Sequence, residues 1–578
     1  MIDGVSFMWC RNCNIETNEI VCPICNSKTI EDLPVEIYFC NNCKIPIVKS
    51  INEPDKSICP ICKSETKYLT TDIRPVFPEE RILLAILLDK EPSKYMYSSV
   101  WASNSNYFVD GKSIKFSIKT LQNADTDKII SKLKGSQNFI DYDFFNKNVA
   151  EFINANCYRL NYLKYEATEF IKQAAKKYTD ENIVISFSGG KDSTVTADIV
   201  TKALSNPSIV HIFGDTTLEF PTTLEYAKRY RTVHPQAIFQ TARNDEQIFL
   251  DVCEDIGPPA RVMRWCCSMF KTGPISRIIN SLYRSQQILT FYGIRKAESV
   301  NRSKYNRFES DSESLKIRQQ AVASPIFFWH DIDIWLYILA EGIDFNFAYR
   351  LGYDRVGCWC CPNNSQRSQF LSRIYMPEKS KLWRDFLINF AKKIGKPDPE
   401  VYVDSGKWKA RQGGNGLKSA NDVKIKFTNC TTEEYAKIYQ LTRPFDDDLI
   451  NLFVPFGKIA PELGKKILKE TIILDLKTNV PIISIQPFNQ DGYDYAVKIK
   501  TMNVDDHKNL QRMISYQIRK FNACRRCLKC EALCRAGAIS IIGNNYYINP
   551  DKCIHCKMCV TAKYLDGGCM MDKYLKTK

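Results

Sequence analysis

Short apolar runs alternate with amphipathic segments through the middle of the chain. The runs predict strands and the amphipathic segments predict helices. The predicted strands are 182–188, 209–213, 237–240 and 287–293, and the predicted helices are 192–204, 221–230 and 331–341. Strands that alternate with helices favour an open, mostly parallel sheet, so we expect an α/β fold for this region.

The flanking regions carry weaker patterns. Residues 139–178 have helical periodicity, and 81–88 form an apolar stretch. Two strand-like runs, 107–109 and 114–118, are separated by Asp110-Gly111, which predicts a hairpin turn. The patterns divide the chain into 1–70 (duplicated four-cysteine units), 71–140 (a small α+β module), 141–410 (the α/β domain), 411–517 (an α+β module of unknown role) and 518–578 (a cysteine-rich domain).

Composition narrows the class of protein. The chain has 578 residues, of which 44% are hydrophobic, and this excludes a mostly disordered chain. No apolar run approaches the length of a membrane span and no signal peptide is recognisable, so we expect no membrane partner and a cytoplasmic location. Five histidines in a chain of this length disfavour a histidine-based site. The candidate chemistry therefore lies in the cysteines.

The 24 cysteines are clustered rather than spread along the chain. Eight lie between Cys10 and Cys62, and eight lie between Cys524 and Cys569. Paired C-x-x-C spacings in a large chain predict thiolate metal sites rather than disulfides. Five such sites at net −2 each reduce the formal charge from +15 to roughly +5 (15 − 10), so the basic excess is weak support for nucleic-acid binding.

The first region repeats one cysteine pattern. Each of two units joins a C-x-x-C pair to a C-P-I-C pair. The candidate ligands are Cys10, Cys13, Cys22 and Cys25 in the first unit, and Cys40, Cys43, Cys59 and Cys62 in the second. Four thiolates suit a closed tetrahedral Zn²⁺ site of the zinc-ribbon type. Iron in a rubredoxin-like site is the alternative, since thiolate tetrahedra accept both metals.

A glycine-rich string lies between the first predicted strand and the first predicted helix of the α/β domain. Backbone N–H groups at a helix start, together with side-chain donors, suit an anion. The candidate nucleotide-binding residues are Ser186, Ser188, Gly189, Gly190, Lys191, Ser193 and Thr194, with Asp215 after the next strand. For Asp215 three roles stay open: a Mg²⁺ ligand, a nucleotide contact or a helix cap. The string S-G-G-K-D-S resembles the PP-loop of ATP pyrophosphatases.

Further motifs follow in order: W-C-C-S at 265–268, Y-G-I-R-K-A-E-S at 292–299, D-I-W at 333–335 and G-C-W-C-C-P at 357–362. Together with the loop they resemble the phosphoadenosine phosphosulfate (PAPS) reductase family over about 178–370. The resemblance implies a PP-loop fold and an adenine nucleotide as substrate. It also implies one [4Fe–4S] cluster held by Cys266, Cys267, Cys358 and Cys361, as in the branch that reduces adenosine phosphosulfate (APS). The role of Cys360 stays open.

The same resemblance implies roles for charged residues. Arg295 and Arg302 match basic residues that hold sulfate or phosphate groups, for which the arginine fork is suited. Lys271 follows the Cys266-Cys267 pair closely, and we expect it to tune the cluster or the bound anion. The candidate catalytic residues are Lys191, Asp192, Lys271, Arg295 and Arg302.

Two features depart from the pattern of that family. The intact S-G-G-K-D-S string favours ATP, because the sulfonucleotide reductases of the family usually carry an altered loop. The C-terminal E-C-G-x-H motif with its nucleophilic cysteine is absent from the sequence. Cys430 is a poor substitute, and we expect it to be a buried thiol. Thioredoxin-coupled chemistry is therefore disfavoured.

The last region resembles a bacterial ferredoxin with two clusters, which implies a ferredoxin-like α+β domain. In that fold the fourth cysteine of each run ligates the other cluster. The resemblance assigns Cys524, Cys527, Cys530 and Cys569 to one [4Fe–4S] cluster, and Cys534, Cys553, Cys556 and Cys559 to the second. Arg535 stands where proline is usual, and nine residues separate Cys559 from Cys569.

Three functions remain open. The first is a reductase in which APS or PAPS receives electrons from the ferredoxin-like module, which an external donor refills. The second is a transferase in which ATP adenylates a tRNA base or another acceptor before sulfur is inserted. The third is a non-catalytic electron-transfer or scaffold subunit. The family resemblance favours the reductase, and the complete phosphate loop favours an active nucleotide site.

Overall fold

The computed structural model describes residues 8–10, 13, 15–17, 19, 21–31, 34–50, 57–104, 106–115, 121, 124–283, 286–310, 317, 320–562, 565 and 567–577. The predicted strand 114–118 therefore extends beyond the described residues after Lys115. Within these ranges no helix combines the length and the apolar character that crossing a bilayer requires.

Each of the two N-terminal units forms an antiparallel sheet of three described strands. The strands are Met8–Cys10, Ile15–Thr17 and Ile30–Glu31 in the first unit, and Val35–Cys40, Ile45–Ser50 and Lys67–Thr70 in the second. Alternate residues of the second sheet, such as Ile37 and Ile47, are buried and belong to the main hydrophobic core. This burial stabilises the second unit beyond what a metal site alone contributes.

The small α+β module follows directly. Its strands are Arg74–Pro75, Val100–Ser103, Asn106–Val109 and Lys112–Lys115, and its helices include Pro78–Leu87 and Thr126–Gly135. The predicted hairpin is confirmed: Val109 pairs with Lys112 across Asp110 and Gly111. Both turn residues have positive φ, 48° and 78°, which is why glycine follows aspartate here.

Two helices rather than one occupy the predicted helical region 139–178: Asp143–Ala155 and Cys157–Ala175. The break lies at Asn156, whose side-chain oxygen accepts a hydrogen bond from Val48 N at 2.7 Å and whose amide donates to the Pro46 carbonyl at 3.1 Å. A tertiary contact to the second N-terminal unit thus interrupts a pattern that is locally continuous.

The α/β prediction is confirmed for the central domain. Its described strands lie in the spatial order Ile238–Arg243, Val210–Asp215, Ile183–Phe187, Ile288–Tyr292, Gln320–Ala323 and Phe308–Glu309. Neighbouring strands are parallel except the short edge strand Phe308–Glu309. The packing helices are Lys191–Leu204, Pro221–Val233, Phe249–Ile256, Gly273–Tyr283 and Asp331–Ala340.

The strand order reverses between Ile183–Phe187 and Ile288–Tyr292, because the chain first extends the sheet to one side and then crosses to the other. Ligands of open α/β sheets bind at the carboxyl ends of the strands at such a switch point. The glycine-rich loop leaves one of these two strands at that edge, and the segment of Gly293 and Arg295 leaves the other.

The remaining chain forms helices and a second sheet. The helices Gln366–Tyr375, Pro377–Lys393 and Pro399–Asp404 precede an antiparallel sheet of Phe427–Asn429, Ala436–Leu441, Tyr495–Thr501, Pro481–Phe488, Thr471–Leu474 and Lys458–Ala460, in spatial order. Helix His507–Ala523 continues across the predicted boundary between 517 and 518. The last region contains Lys529–Leu533, Ile539–Ile542, Asn545–Ile548, Met558–Thr561 and Met570–Leu575.

Candidate functional site

The glycine-rich loop forms a cradle between strand Ile183–Phe187 and helix Lys191–Leu204. Gly189 has φ +69°, a left-handed conformation that glycine adopts without strain. Inside the loop, the Ser193 hydroxyl accepts a hydrogen bond from Ser188 N at 3.1 Å. The first N–H groups of the helix have no partner within the helix, and the first of them, Lys191 N, donates to Tyr349 Oη at 3.0 Å. An anion at the helix start therefore competes with Tyr349 for that donor.

A second glycine lets another strand end approach the cradle. A Cβ on Gly293 would lie 2.7 Å from the backbone of Asp192. The side chain of Thr194 points away from the opening: its hydroxyl donates to the Gly190 carbonyl at 3.1 Å and lies 3.0 Å from Tyr226 Oη. Thr194 therefore stabilises the loop from behind, whereas Ser188 is exposed and Lys191 is buried beside the loop.

Lys191 and Arg295 form a buried cation pair above the loop. Lys191 Nζ lies 3.1 Å from Asp331 Oδ1 and 3.6 Å from Asp192 Oδ2, and it donates to the Asp354 carbonyl at 3.2 Å. Arg295 binds the same two carboxylates, with Nε 2.5 Å from Asp192 Oδ1 and Nη2 2.8 Å from Asp331 Oδ1. The two cations are thus held in place by protein carboxylates.

The charge balance of this group favours the ionised forms of Lys191 and Asp192. Burial lowers the pKa of Lys191, but Asp192 and Asp331 outweigh burial and raise the pKa above its ordinary value. Burial raises the pKa of Asp192, while Arg295 and Lys191 outweigh it and lower the pKa to about 2. An arriving phosphate would find two fixed positive charges close to the helix start.

Arg302 lies in a neighbouring, more exposed group. Its guanidinium pairs with Glu298, and Arg355 Nη2 lies 2.5 Å from the other oxygen of that carboxylate. Burial and the charge of Arg355 lower the pKa of Arg302 to about 10. The structure therefore places the two predicted arginines in separate ion clusters, and Arg295 is the one closest to the loop.

Asp215 lies at the end of strand Val210–Asp215 and is largely buried. Its Oδ1 accepts a hydrogen bond from Thr217 N at 2.8 Å, and its Oδ2 lies 3.6 Å from Arg243 Nη1. The carboxylate thus has partners that shape the turn after the strand, and its Oδ2 faces a partly exposed arginine.

The central cysteines come together from two segments. Trp265–Cys267 forms one helical turn that continues into the π-helical turn Ser268–Thr272, a form frequent at functional sites. Opposite it, Cys358 Sγ lies 3.5 Å from Thr216 Oγ1, and Cys361 N donates to the Cys358 carbonyl at 3.1 Å. Burial, the Glu219 carboxylate and the thiols Cys361 and Cys267 raise the pKa of Cys358.

Cations surround the same sulfurs. Arg264 Nη2 donates to Cys267 Sγ at 3.4 Å. The hydrogen bond with Cys266, together with the charges of Arg264 and Lys271, holds the pKa of Cys267 well below its ordinary range, although burial acts in the opposite direction. Cys360, whose role was open, is buried in the apolar core behind the other central cysteines.

Cys430 differs from its prediction. Its thiol is only partly buried, and its Sγ lies 3.3 Å from Thr432 Oγ1. The hydrogen bond from Thr432 lowers the pKa of this thiol. The short strand Phe427–Asn429 is exposed along its length, so the following residue has no apolar cover.

The C-terminal cysteines form two neighbourhoods. Mutual charge repulsion among the thiols contributes to a raised pKa at Cys527 and at Cys553, after the larger effect of burial. The thiols acting on the first are Cys524, Cys530 and Cys569, and those acting on the second are Cys534 and Cys556. These neighbourhoods agree with the groupings that the ferredoxin resemblance implies for seven of the eight cysteines. Cys559 is acted on by Cys530 of the first group as well as by Cys534 and Cys553 of the second. The ligand sets and their metal content stay predictions.

A buried lysine that the sequence patterns did not single out lies between these neighbourhoods. The Lys520 side chain is 1% exposed, and its Nζ donates to the Cys559 carbonyl. Its charge is stabilised by thiols of both groups, including Cys530 and Cys559, and they raise its pKa although burial lowers it. The position, three turns into an ordinary amphipathic helix, carries no local sequence signal.

The C-terminal region packs directly on the central cysteines. One hydrophobic core contains Cys360, Cys527 and Cys569, with Cys266 and Cys358 against its edge. Ser268 Oγ lies 3.6 Å from Met570 Sδ, which crosses the same boundary. A packed apolar interface thus holds the central cysteines next to the first group of C-terminal cysteines.

The two N-terminal groups have the geometry of single-ion sites. In each, the four cysteine sulfurs lie within 4.8 Å of one another. Cys10 Sγ is 3.4 Å from Cys25 Sγ, and Cys40 Sγ is 3.5 Å from Cys62 Sγ. Sulfurs at about 2.3 Å from a tetrahedral ion are roughly 3.8 Å apart, so both groups could hold a metal ion. Among the described residues, such close groups occur only here.

Comparison with known proteins gives the central region relatives. Residues 182–364 match the phosphoadenosine phosphosulfate reductase domain. An uncharacterized protein of Methanocaldococcus jannaschii is 30% identical over 297 residues, 50% of this chain and 59% of its own length. A second one from the same organism is 27% identical over 266 residues, 46% of this chain and 61% of its length. The chain thus spans about three fifths of these two relatives.

Relatives with an assigned activity cover a shorter stretch. The adenosine 5'-phosphosulfate reductase of Neisseria meningitidis is 29% identical over 206 residues, 34% of this chain and 79% of that protein. Among solved structures, the PAPS reductase of Candida auris aligns with 17% identity and a TM-score of 0.27, over 35% of this chain and 95% of that chain.

Proposed function

We propose that the chain, whose residues 182–364 match the phosphoadenosine phosphosulfate reductase domain, binds an adenine nucleotide and reduces an adenylyl sulfate, APS or PAPS. The electrons reach the substrate through the C-terminal cysteine module of the same chain. The observation that carries this proposal is the shared core of the central and C-terminal cysteines. The APS reductases among the relatives support the substrate class.

The nucleotide binds at the carboxyl edge of the sheet. The cradle of Ser188 to Lys191 accepts a phosphate, and Lys191 and Arg295 neutralise it. The carboxylates of Asp192 and Asp331 keep Lys191 Nζ in place beside the bound phosphate. Arg302, with Arg355 beside it, holds a further anionic group of the substrate.

The cysteine groups fit iron–sulfur cores. Adjacent cysteines such as Cys266 and Cys267 are poor ligands for one ion but can bind two irons of one cubane, with Cys358 and Cys361 completing the set. The C-terminal groups have the spacing of two further [4Fe–4S] sites, and the N-terminal groups fit Zn²⁺. When bound, the iron–sulfur cores supply electrons one at a time.

The reaction balances with two electrons. They enter the sulfur of the adenylyl sulfate, the bond between that sulfur and the phosphate oxygen breaks, and AMP and sulfite leave. Arg264 and Lys271 lie near Cys267 and hold the anionic sulfate at the cysteine side of the site. The apolar core behind the cysteines excludes water from the electron path.

Sulfite release tests this function. The chain is purified without oxygen, its iron and sulfide are measured, and APS and PAPS are offered with a reduced viologen. We expect sulfite and one equivalent of AMP (or its 3'-phosphate) from at least one of them. Release of neither product, from a preparation with full iron content, would refute the reductase.

The intact loop favours a second candidate, a transferase that adenylates an acceptor with ATP and then inserts sulfur. Lys191 is buried at a helix start behind a left-handed Gly189, as a pyrophosphate group requires. In that case pyrophosphate is released from ATP only when an acceptor such as tRNA is added, and no sulfite forms from APS.

Lys520 gives a separate test of the electron path. A fixed positive charge near both C-terminal groups favours their reduced, more negative state, so we expect Lys520→Met to lower the reduction potentials of both centres. Redox titration followed by electron paramagnetic resonance measures this. The control is Lys508→Met, at the exposed start of the helix that carries Lys520, and it should leave both potentials unchanged. Lys529→Met is not a suitable control, because Lys529 lies among the C-terminal cysteines.

A further inference from the structure

The segment directly after the second four-cysteine unit reaches the phosphate loop. Strand Lys67–Thr70 pairs with Val35–Cys40 in the sheet of that unit, in the register Ile37 to Thr70 and Phe39 to Lys67. Two residues after Thr70 the chain has entered the small α+β module with Asp72, and Arg74 follows in the first strand of that module. The second cysteine unit and these two side chains are therefore joined by a short, paired stretch of backbone.

Asp72 caps the helix that carries Asp331. Its Oδ2 accepts a hydrogen bond from Asp331 N at 2.9 Å, and its Oδ1 accepts one from Ile332 N at 3.1 Å. These are N–H groups of the first turn, which have no partner inside helix Asp331–Ala340. The cap fixes the backbone of Asp331, whose carboxylate contacts both Lys191 and Arg295.

Arg74 holds the other contact of Lys191. Its Nε donates to Asp354 Oδ1 at 2.6 Å, and the Asp354 carbonyl accepts from Lys191 Nζ at 3.2 Å. The rest of the guanidinium forms two hydrogen bonds with Glu80, at 2.6 and 2.8 Å. Arg74 and Glu80 are both almost completely buried, so the arginine has one fixed orientation.

Among Asp192, Asp331 and Asp354, whose oxygens lie within 3.6 Å of Lys191 Nζ, the last two are thus held by the segment 72–74. We propose that Asp72 and Arg74 are positioning residues for Lys191 and Arg295, and that metal bound by the second four-cysteine unit keeps them in register. The inference rests on the proposed function only in that Lys191 contacts a nucleotide phosphate. It gives the second unit a role in nucleotide binding that the first unit does not have.

Hydrogen exchange tests the positioning role directly. In Asp72→Ala, we expect the amides of Asp331 and Ile332 to exchange at least tenfold faster, because both hydrogen bonds are lost. Asp72→Asn keeps one amide oxygen as acceptor, and it should restore part of the protection. The amides of strand Ile183–Phe187 should be unchanged in both variants, which a general loss of structure would not allow.

Calorimetry with ATP, with APS and with PAPS gives the second readout. Asp72→Ala should raise the Kd of whichever nucleotide the wild type binds roughly tenfold, the size of one charge-assisted contact. Arg74→Lys should weaken binding less, since it keeps the charge. Unchanged exchange and unchanged affinity in Asp72→Ala would overturn the inference.

The metal is tested with a matched pair of variants at exposed ligands. Cys62→Ser removes the last cysteine of the second unit, and Cys25→Ser removes the last cysteine of the first unit. After zinc loading and metal analysis, we expect faster exchange at Asp331 and Ile332 in Cys62→Ser and wild-type exchange in Cys25→Ser. Equal behaviour of the two variants would overturn the link to the metal.

The outcomes separate this inference from the proposed function. A wild-type chain that binds none of ATP, APS and PAPS refutes the proposed function, and the exchange experiment then decides the inference alone. A chain that releases sulfite but shows no difference between Asp72→Ala and wild type keeps the function and refutes the positioning role.

Discussion

The two N-terminal units repeat the same C-x-x-C and C-P-I-C pairs, with eight residues between the pairs in the first unit and 15 in the second. Among the described residues, only those of the second unit are part of the main core. Cys59 is buried in that core together with Ile37 and Ile47, whereas the described residues of the first unit contribute none to it. The duplicated cysteine motif thus gives two similar local sites. The strands around each site determine whether that site packs against the main core.

The difference has a physical cause in the neighbouring strands. Strands Val35–Cys40 and Ile45–Ser50 carry apolar residues at most positions, and Asn156 between two helices binds the backbone of the second strand. Described strands of the first unit, such as Ile15–Thr17, have three residues or fewer. Short strands bury little area and so depend more on the metal.

We expect the largest effect from removing the side-chain contacts of Arg74, which join the segment after the second unit to the rest of the protein. Arg74→Met leaves Glu80 buried without its main cation, so we expect the free energy of unfolding to fall by about 3–5 kcal/mol. Denaturant unfolding measures it. Glu80 keeps a second cation, Arg367, whose Nη2 lies 2.5 Å from Glu80 Oε1. Adding Glu80→Gln should therefore recover little of the loss, because it removes the carboxylate to which Arg367 donates. If Arg74→Met were as stable as the wild type, the ion pairs of Arg74 with Glu80 of the same module and with Asp354 of the central domain would not couple the segment to that domain.

A smaller effect should distinguish the two units. Cys22 and Cys59 are both completely buried and open their C-P-I-C pairs, so Cys22→Ser and Cys59→Ser are matched. We expect Cys59→Ser to lower the melting temperature of the central domain by roughly 5 °C and Cys22→Ser by about 1 °C or less. Calorimetry of zinc-loaded protein measures both. Equal shifts would show that packing of the second unit does not matter.

The smallest effect should be equal in the two units. Hydrogen bonds from Ser27 and Ser64 lower the pKa of Cys25 and Cys62 to about 6 in each metal-free unit. A lowered pKa keeps the thiolate present above that pH, so alkylation of both should be half-maximal near pH 6 and slow down only below it. Mass spectrometry of the labelled peptides measures the profile.

Substituting the two serines tests whether their hydrogen bonds lower the pKa of Cys25 and Cys62. Ser27→Ala and Ser64→Ala should each move the half-maximal pH upward, toward about 8.5 for an ordinary thiol. A shift of the half-maximal pH in only one unit would contradict the expectation that the serine hydrogen bond has the same effect on the cysteine in both units.

Much of the candidate site was predictable because its chemistry is local in sequence. The string around Lys191, the strand before it and the helix after it follow from nine consecutive residues. The C-x-x-C pairs likewise specify their own turns. The break at Asn156 and the partial exposure of Cys430 were not predictable, since neighbours distant in sequence decide both.

The sequence by itself determined the alternating α/β order, the phosphate loop and the paired cysteines, because each depends on spacings of a few residues. The tertiary structure decided which of these meet. Asp72 and Asp331 are 259 residues apart, and Arg74 and Asp354 are 280 apart, yet both pairs are in hydrogen-bond contact. Such contacts arise from close packing of whole elements, which no local pattern encodes.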